Sequence, residues 1–291
     1  MKHLINMAIA AAVFIFTKTY AELISFNSIQ VSGTNLLEQI LIIAFVIQWI
    51  AFIPAFLLQT EKFYDLTGSL TYLSIFMYCL VTTESIENLN LSNLLVAGAI
   101  MLWAVRLGSF LFMRISKDGK DERFNSIKTS FSRFFMTWTL QGMWVFICSS
   151  AALVAITSPT GVIINNLFII GFVLFIFGFV IEVIADNQKN KFRSKEENKG
   201  SFINEGLWAR SRHPNYFGEI TLWTGIAIMA IPTFVGMNFL ALFSPIFTYL
   251  LLNHVSGIRL LEIRGHEKWG HLENYNSYKK NTPKLIPRIL S

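Results

Sequence analysis

Residues 162–185 read VIINNLFIIGFVLFIFGFVIEVIA, and Glu182 is the single charged residue among them. A helix needs ~20 predominantly apolar residues to cross a bilayer, and this run satisfies that length without a break. Working outward, Leu4–Phe16, Leu36–Leu58, Leu66–Val81, Leu91–Met113, Phe134–Ile156, Ile220–Ile231 and Met237–Leu252 meet or approach the same condition. Apolar residues make up 53% of the 291 positions and charged residues 14%, and the charges fall in a few blocks between the apolar runs. That distribution is a membrane pattern and not that of a soluble core. The sequence therefore predicts an all-α, polytopic integral membrane helix bundle with seven or eight transmembrane helices. No repeat or dividing linker interrupts it, so residues 1–291 are expected to form one membrane domain. Lys2 and His3 before a short apolar run imitate a signal peptide, but no small-residue cleavage motif follows, and the first run is read as a retained helix.

The net charge of +6 is a topology signal and gives no reason to expect nucleic acid. Seven cations against four carboxylates lie between Asp186 and Arg212, and seven against three between Arg259 and Ser291. The Arg114–Arg133 connection is also basic, whereas Thr82–Asn90 carries only Glu84 and Glu87. The positive-inside rule then places the three basic segments, the C-terminus included, in the cytoplasm. This requires Ile220–Leu252 to be a hairpin turned at Pro232 and Gly236. Cys79 and Cys148 lie inside apolar runs, where cysteine is a small hydrophobe, and imply neither a disulfide framework nor a metal site.

Within the apolar runs the informative residues are charged, because each costs a few kcal/mol at the bilayer centre and so faces a cavity or a partner. Arg106 and Glu182 are such residues; Arg114 reads equally well as snorkelling to the interface. Glu182, Asp186, Lys189 and Arg193 follow at i, i+4, i+7 and i+11, one stripe of a helix that continues past the membrane before a Lys/Glu-rich turn at Lys195–Gly200. That stripe reads either as a ladder of surface ion pairs or as one wall of a site.

The segment Gly206-Leu-Trp-Ala-Arg-Ser-Arg-His-Pro-Asn-Tyr-Phe-Gly-Glu219 is more specific. Pro214 suits the first turn of a helix, and Arg210, Arg212 and His213 stand just before it, so cations and backbone N–H groups converge as an anion site. Asn215 and Glu219 are i, i+4, and a carboxylate one turn inside an apolar helix needs a partner. The tail adds Glu262 and Arg264, placed after a helix, then Tyr275, Tyr278, Lys279 and Lys280, which taken alone are ordinary membrane-surface anchors.

Three stretches together, Asp186–Arg193, Gly206–Trp223 and the Leu285-Ile-Pro287 tail, resemble the bacterial DUF1295 branch of the steroid 5α-reductase superfamily. Phe63–Gly68, Arg106-Leu-Gly and Asp121–Phe124 fit the same branch, so the resemblance covers roughly residues 60–290. In those enzymes an Asp and an Arg seven apart, and an Asn and a Glu four apart, line the NADPH pocket. The resemblance thus implies cofactor roles for Asp186, Arg193, Asn215 and Glu219. The cofactor region expected is 186–223 with 259–287, which adds Arg210, Arg212, His213, Tyr216, Glu262, Arg264 and Tyr278. On the substrate side the family polarises a carbonyl with a Tyr three residues before an Arg like Arg106. Trp103 holds that place, and an indole cannot protonate an enolate. The family's early Gln-Glu pair has no counterpart near Gln48, Gln59 or Glu61.

The reading that results is an NADPH-dependent reductase of a lipophilic enone or related C=C, without metal. Its substrate would enter from the bilayer, and its proton donor is sought among Tyr64, Tyr72 and Tyr216, with Tyr64 and Tyr216 preferred. The bacterial branch implies the inner membrane in preference to the endoplasmic reticulum. The alternatives are an S-adenosylmethionine-dependent methyltransferase of a lipid or prenylated thiol, or a non-catalytic lipid-binding membrane protein.

Overall fold

In a bilayer each backbone N–H and C=O must find its partner within the segment, and the apolar runs accordingly form helices. The computed structural model describes residues 1–83 and 90–288; Glu84 and Glu87 lie outside the described residues. The elements run α1 (Lys2–Ile24), a small antiparallel hairpin β1 (Gln30–Val31) and β2 (Thr34–Asn35), α2 (Leu36–Leu57), α3 (Tyr64–Thr83), α4 (Leu91–Asp118) and α5 (Phe131–Ile156). They continue with α6 (Asn166–Ser194), α7 (Leu207–Arg210), α8 (Pro214–Ala230), α9 (Phe243–Leu250), α10 (Ile258–Trp269) and α11 (Glu273–Asn281). Seven stretches among the described residues are long and apolar enough to cross a membrane. This is an integral, multi-pass, all-α membrane protein.

Most helices outrun the apolar segments that announce them, since polar residues continue the turn into the interface. The extension is largest in α6, which runs through Asp186, Lys189 and Arg193 to Ser194. The Ile220–Ile231 pass is different: its helix is α8, which starts at Pro214, spans 17 residues and is not among the seven. The seventh is the stretch Gly236–Trp269, made of 3-10, α and π segments in succession. Glu262 and Arg264 follow α9, as expected, and lie inside a further helix, α10.

Backbone contacts divide the chain into two compact units, the first of residues 1–168 with 229–243 and the second of 169–228 with 244–291. In the first, α5 is the central helix, with 83% of its apolar window buried against 39% or less in the other spans. An aromatic cluster of Phe52, Phe124, Phe134 and Trp138 packs there with Tyr64 and Phe135.

In the second unit α6 and α8 run antiparallel and cross with backbones in contact. Gly171 and Gly178 on α6, and Gly218 and Gly225 on α8, share the same seven-residue spacing. A Cβ at Gly178 would stand 2.5 Å from the Gly218 carbonyl oxygen, and one at Gly225 would stand 2.5 Å from that of Gly171. Small residues at matched positions are what allow membrane helices to approach this closely.

Candidate functional site

Three buried acidic residues flank the glycine crossing in the second unit. Glu182 follows Gly178 by one turn of α6 and Asp186 by another, while Glu219 adjoins Gly218 on α8. Glu182, Asp186 and Glu219 are only 2%, 5% and 7% exposed. Asn215, in the first turn of α8, donates from Nδ2 to Asp186 Oδ1 at 3.2 Å. Three buried carboxylates and an amide are thus carried by two helices in backbone contact, with Asp186 and Asn215 joined across the crossing. Ionised carboxylates in such surroundings require donors or countercharges.

The loop between these helices is tied down from several sides. Leu207 N–H donates to Gln188 Oε1 at 2.9 Å, and the Trp208 indole donates to the Ala185 carbonyl at 2.9 Å. Lys189 lies 4.4 Å above the Trp208 ring. The tail clips on through three hydrogen bonds: Arg212 N–H donates to Pro283 O (2.9 Å), Ser211 Oγ to Leu285 O (2.7 Å), and Arg288 N–H to Arg210 O (3.1 Å). Tyr278 Oη donates to Trp208 O at 2.6 Å, and burial raises the phenol's pKa, keeping it a donor.

Arg212 and His213 do converge on an anion, but that anion is Glu262 of α10. Arg212 Nη1 lies 2.6 Å from Glu262 Oε2, His213 Nε2 lies 2.9 Å from Oε1, and Lys279 Nζ of α11 is 3.3 Å from Oε2. Burial lowers the His213 pKa, against the opposing pull of Glu262, so the imidazole tends to be neutral with its proton on Nε2 facing the carboxylate. This leaves His213 Nδ1 an acceptor, and it and the Arg212 Nε–H are buried without a hydrogen-bond partner among the described residues. The His213 ring stacks on that of Tyr216 at 6.0 Å. Arg193, Arg210 and Arg264 are exposed.

The remaining predicted positions belong to the first unit. Tyr64 donates to the Thr137 carbonyl at 3.0 Å and is boxed by Trp138 and Phe124 at 5.0 Å each. Trp103 is buried edge-on against Tyr72 at 5.3 Å, and Arg106 sits 5.3 Å from the Phe110 ring. Sequence reasoning missed three features: Glu262 as the hub of Arg212, His213 and Lys279, Gln188 as the clasp of the loop, and the glycine register. Only the last left a signal, the equal glycine spacing in both helices.

A family model described as "Protein of unknown function (DUF1295)" matches residues 51–282. Among curated proteins, the chain is 31% identical over 123 residues to the mouse 3-oxo-5-alpha-steroid 4-dehydrogenase 1, covering 42% of this chain and 43% of that protein. It is 30% identical over 124 residues to the Steroid 5-alpha-reductase DET2 of Arabidopsis thaliana, 42% of each. A third relative, named "Probable O-methyltransferase ustE" in Ustilaginoidea virens, is 27% identical over 95 residues, 32% of this chain and 33% of that one. The matched region thus spans less than half the length of each of these relatives.

Proposed function

Because the chain belongs to the DUF1295 family, we propose that it is an NADPH-dependent membrane reductase acting on a lipophilic enone or related C=C bond. The observation that carries this reading is the buried Asp186–Asn215 contact at the α6–α8 crossing, with Glu219 buried one turn along α8 from Asn215. The reductase names of the mouse and plant relatives support it.

The donor and acceptor inventory suits a dinucleotide. His213 Nδ1 accepts hydrogen bonds, as a carboxamide or ribose hydroxyls would offer them, and Arg212 Nε–H donates. The exposed Arg193 and Arg210 suit phosphates at the surface. NADPH, when bound, supplies the hydride for such a reduction. The chain's part is to orient, exclude water and place a proton. Asn215 and Glu219 hold the amide end, and the Glu262 hub keeps Arg212 and His213 oriented. Tyr216, half-buried on α8, is the proton donor favoured within this unit. Tyr64 would first have to release Thr137, and Trp103 can only donate a hydrogen bond. The cofactor side then faces the cytoplasm with the C-terminus, in a bacterial inner membrane, and substrate arrives from the lipid.

The test is consumption of NADPH by the purified protein across a panel of lipophilic enones. Glu219→Gln should lose most of that rate while its cofactor-free melting temperature stays near wild type. The O-methyltransferase relative favours a second reading: methyl transfer from S-adenosylmethionine to a lipid, without NADPH consumption, would replace the reductase.

A further inference from the structure

Beyond the nucleotide reading, and independent of it, the first unit contains buried polar groups that hydrophobic packing does not explain. Gln48 of α2 is fully buried, and its Nε2 lies 2.7 Å from Thr71 Oγ1 on α3. The single Thr71 hydroxyl proton is given to the Thr67 carbonyl at 2.7 Å. Thr71 can therefore only accept from Gln48, which fixes the amide with Oε1 pointing elsewhere. Gln141 of α5, 4% exposed, is fixed by the same logic: its Nε2 donates to the Tyr64 carbonyl at 3.1 Å, a group that only accepts. A Cβ at Gly68 would stand 2.6 Å from that nitrogen, so glycine is what admits the Gln141 amide.

Both amide oxygens, Gln48 Oε1 and Gln141 Oε1, are buried without a hydrogen-bond partner among the described residues, as is the Trp138 indole N–H one turn before Gln141. Gly68 and Thr71, the α3 positions that meet the two amides, are three residues apart on one face, or ~4.5 Å along the helix. Two orphan acceptors, on amides that meet α3 about one turn apart, and an orphan donor, beside the aromatic rings of Phe63 and Tyr64 that pack on Trp138, call for a group bringing two O–H or N–H donors and one acceptor. Carbonyl, ether and ester oxygens donate nothing and leave both amides unsatisfied.

We propose that Gln48, Gln141 and Trp138 form a binding site, between α2, α3 and α5, for a lipid whose polar end carries two neighbouring hydroxyl groups. Water offers the same chemistry, so the experiment has to separate the two sources. The full-length protein is solubilised in an amine-oxide detergent, which has no hydroxyl to compete. Its melting temperature is followed during titration with hexadecyl glycerol monoether and with the dimethyl ether of that lipid. The diol should bind roughly tenfold or more tightly than the dimethyl ether, one lost hydrogen bond being on the order of tenfold in affinity. Gln48→Leu and Gln141→Met should each reduce that preference without abolishing folding, which the melting temperature without lipid verifies. Should one variant fail to fold, the other still decides. Equal response to the two lipids overturns the proposal, as does no response to either, which would assign the site to water. A diol preference that survives in a folded variant overturns it too.

Discussion

Gly218→Ala places a methyl group where α6 and α8 touch. Its Cβ would stand 2.6 Å from the Gly178 carbonyl oxygen, 2.7 Å from Glu182 N and 3.0 Å from Glu182 Cβ. Two of these neighbours are backbone, with no rotamer to yield. The helices must separate by about 0.8 Å to restore the 3.4 Å at which ordinary contact begins. Overpacking of this kind costs ~1–3 kcal/mol, and alanine's better helix propensity returns about 0.5–1 kcal/mol. With roughly 2–4 °C per kcal/mol for a chain of this size, the melting temperature should fall by several degrees. The same displacement stretches the Asn215–Asp186 bond from 3.2 Å to about 4 Å, beyond hydrogen-bond reach, so nucleotide-induced stabilisation should shrink as well. Gly98→Ala on α4 is the control, because its Cβ meets nothing within 4 Å, and it should be neutral or slightly stabilising. Thermal unfolding in detergent, with and without NADPH, reads both effects. If Gly218→Ala melts at or above Gly98→Ala, the backbone contact at the crossing is wrong.

Glu262→Gln weakens the contacts to Arg212, His213 and Lys279 and should cost ~1.5–3 kcal/mol; chemical denaturation showing no loss would remove Glu262 as a hub. His213 is held below its ordinary pKa of 6.5, chiefly by burial. The unfolded chain therefore binds the proton more readily, and stability present above that pH should be lost as pH falls below it and through the depressed folded value. His213→Gln should lack this component, and identical pH profiles for variant and wild type would refute it. Single cysteines at Ser126, Ser201 and Ser277, all exposed, should label from one side of the membrane, the cytoplasmic side; labelling of Ser201 and Ser277 from opposite faces would refute the sidedness.

Most of the fold was legible because a bilayer leaves few options: uninterrupted apolar runs become helices, and Pro214 opens α8 because its missing N–H is one the helix start does not need. The length of α6 was legible for a similar reason, since its charged stripe keeps helical spacing beyond the apolar run. What escaped depended on distant pairing. Glu262 lies 50 residues from Arg212 and 49 from His213, and nothing local in either segment names the other. The basic cluster before Pro214 therefore read as a receptor for an outside anion, whereas the fold supplies a carboxylate of its own. The Asp186–Asn215 contact shows the intermediate case: each residue stood out by spacing, but their meeting depends on the glycine register that lets α6 and α8 touch.

The central claim is tested most directly by the nucleotide that wild-type protein binds. Thermal unfolding of the detergent-solubilised chain should show a saturable rise in melting temperature with NADPH that Glu219→Gln largely loses, and none with S-adenosylhomocysteine. A rise with S-adenosylhomocysteine and none with NADPH would contradict the reductase reading and assign the buried carboxylates of α6 and α8 to a methyl-transfer cofactor.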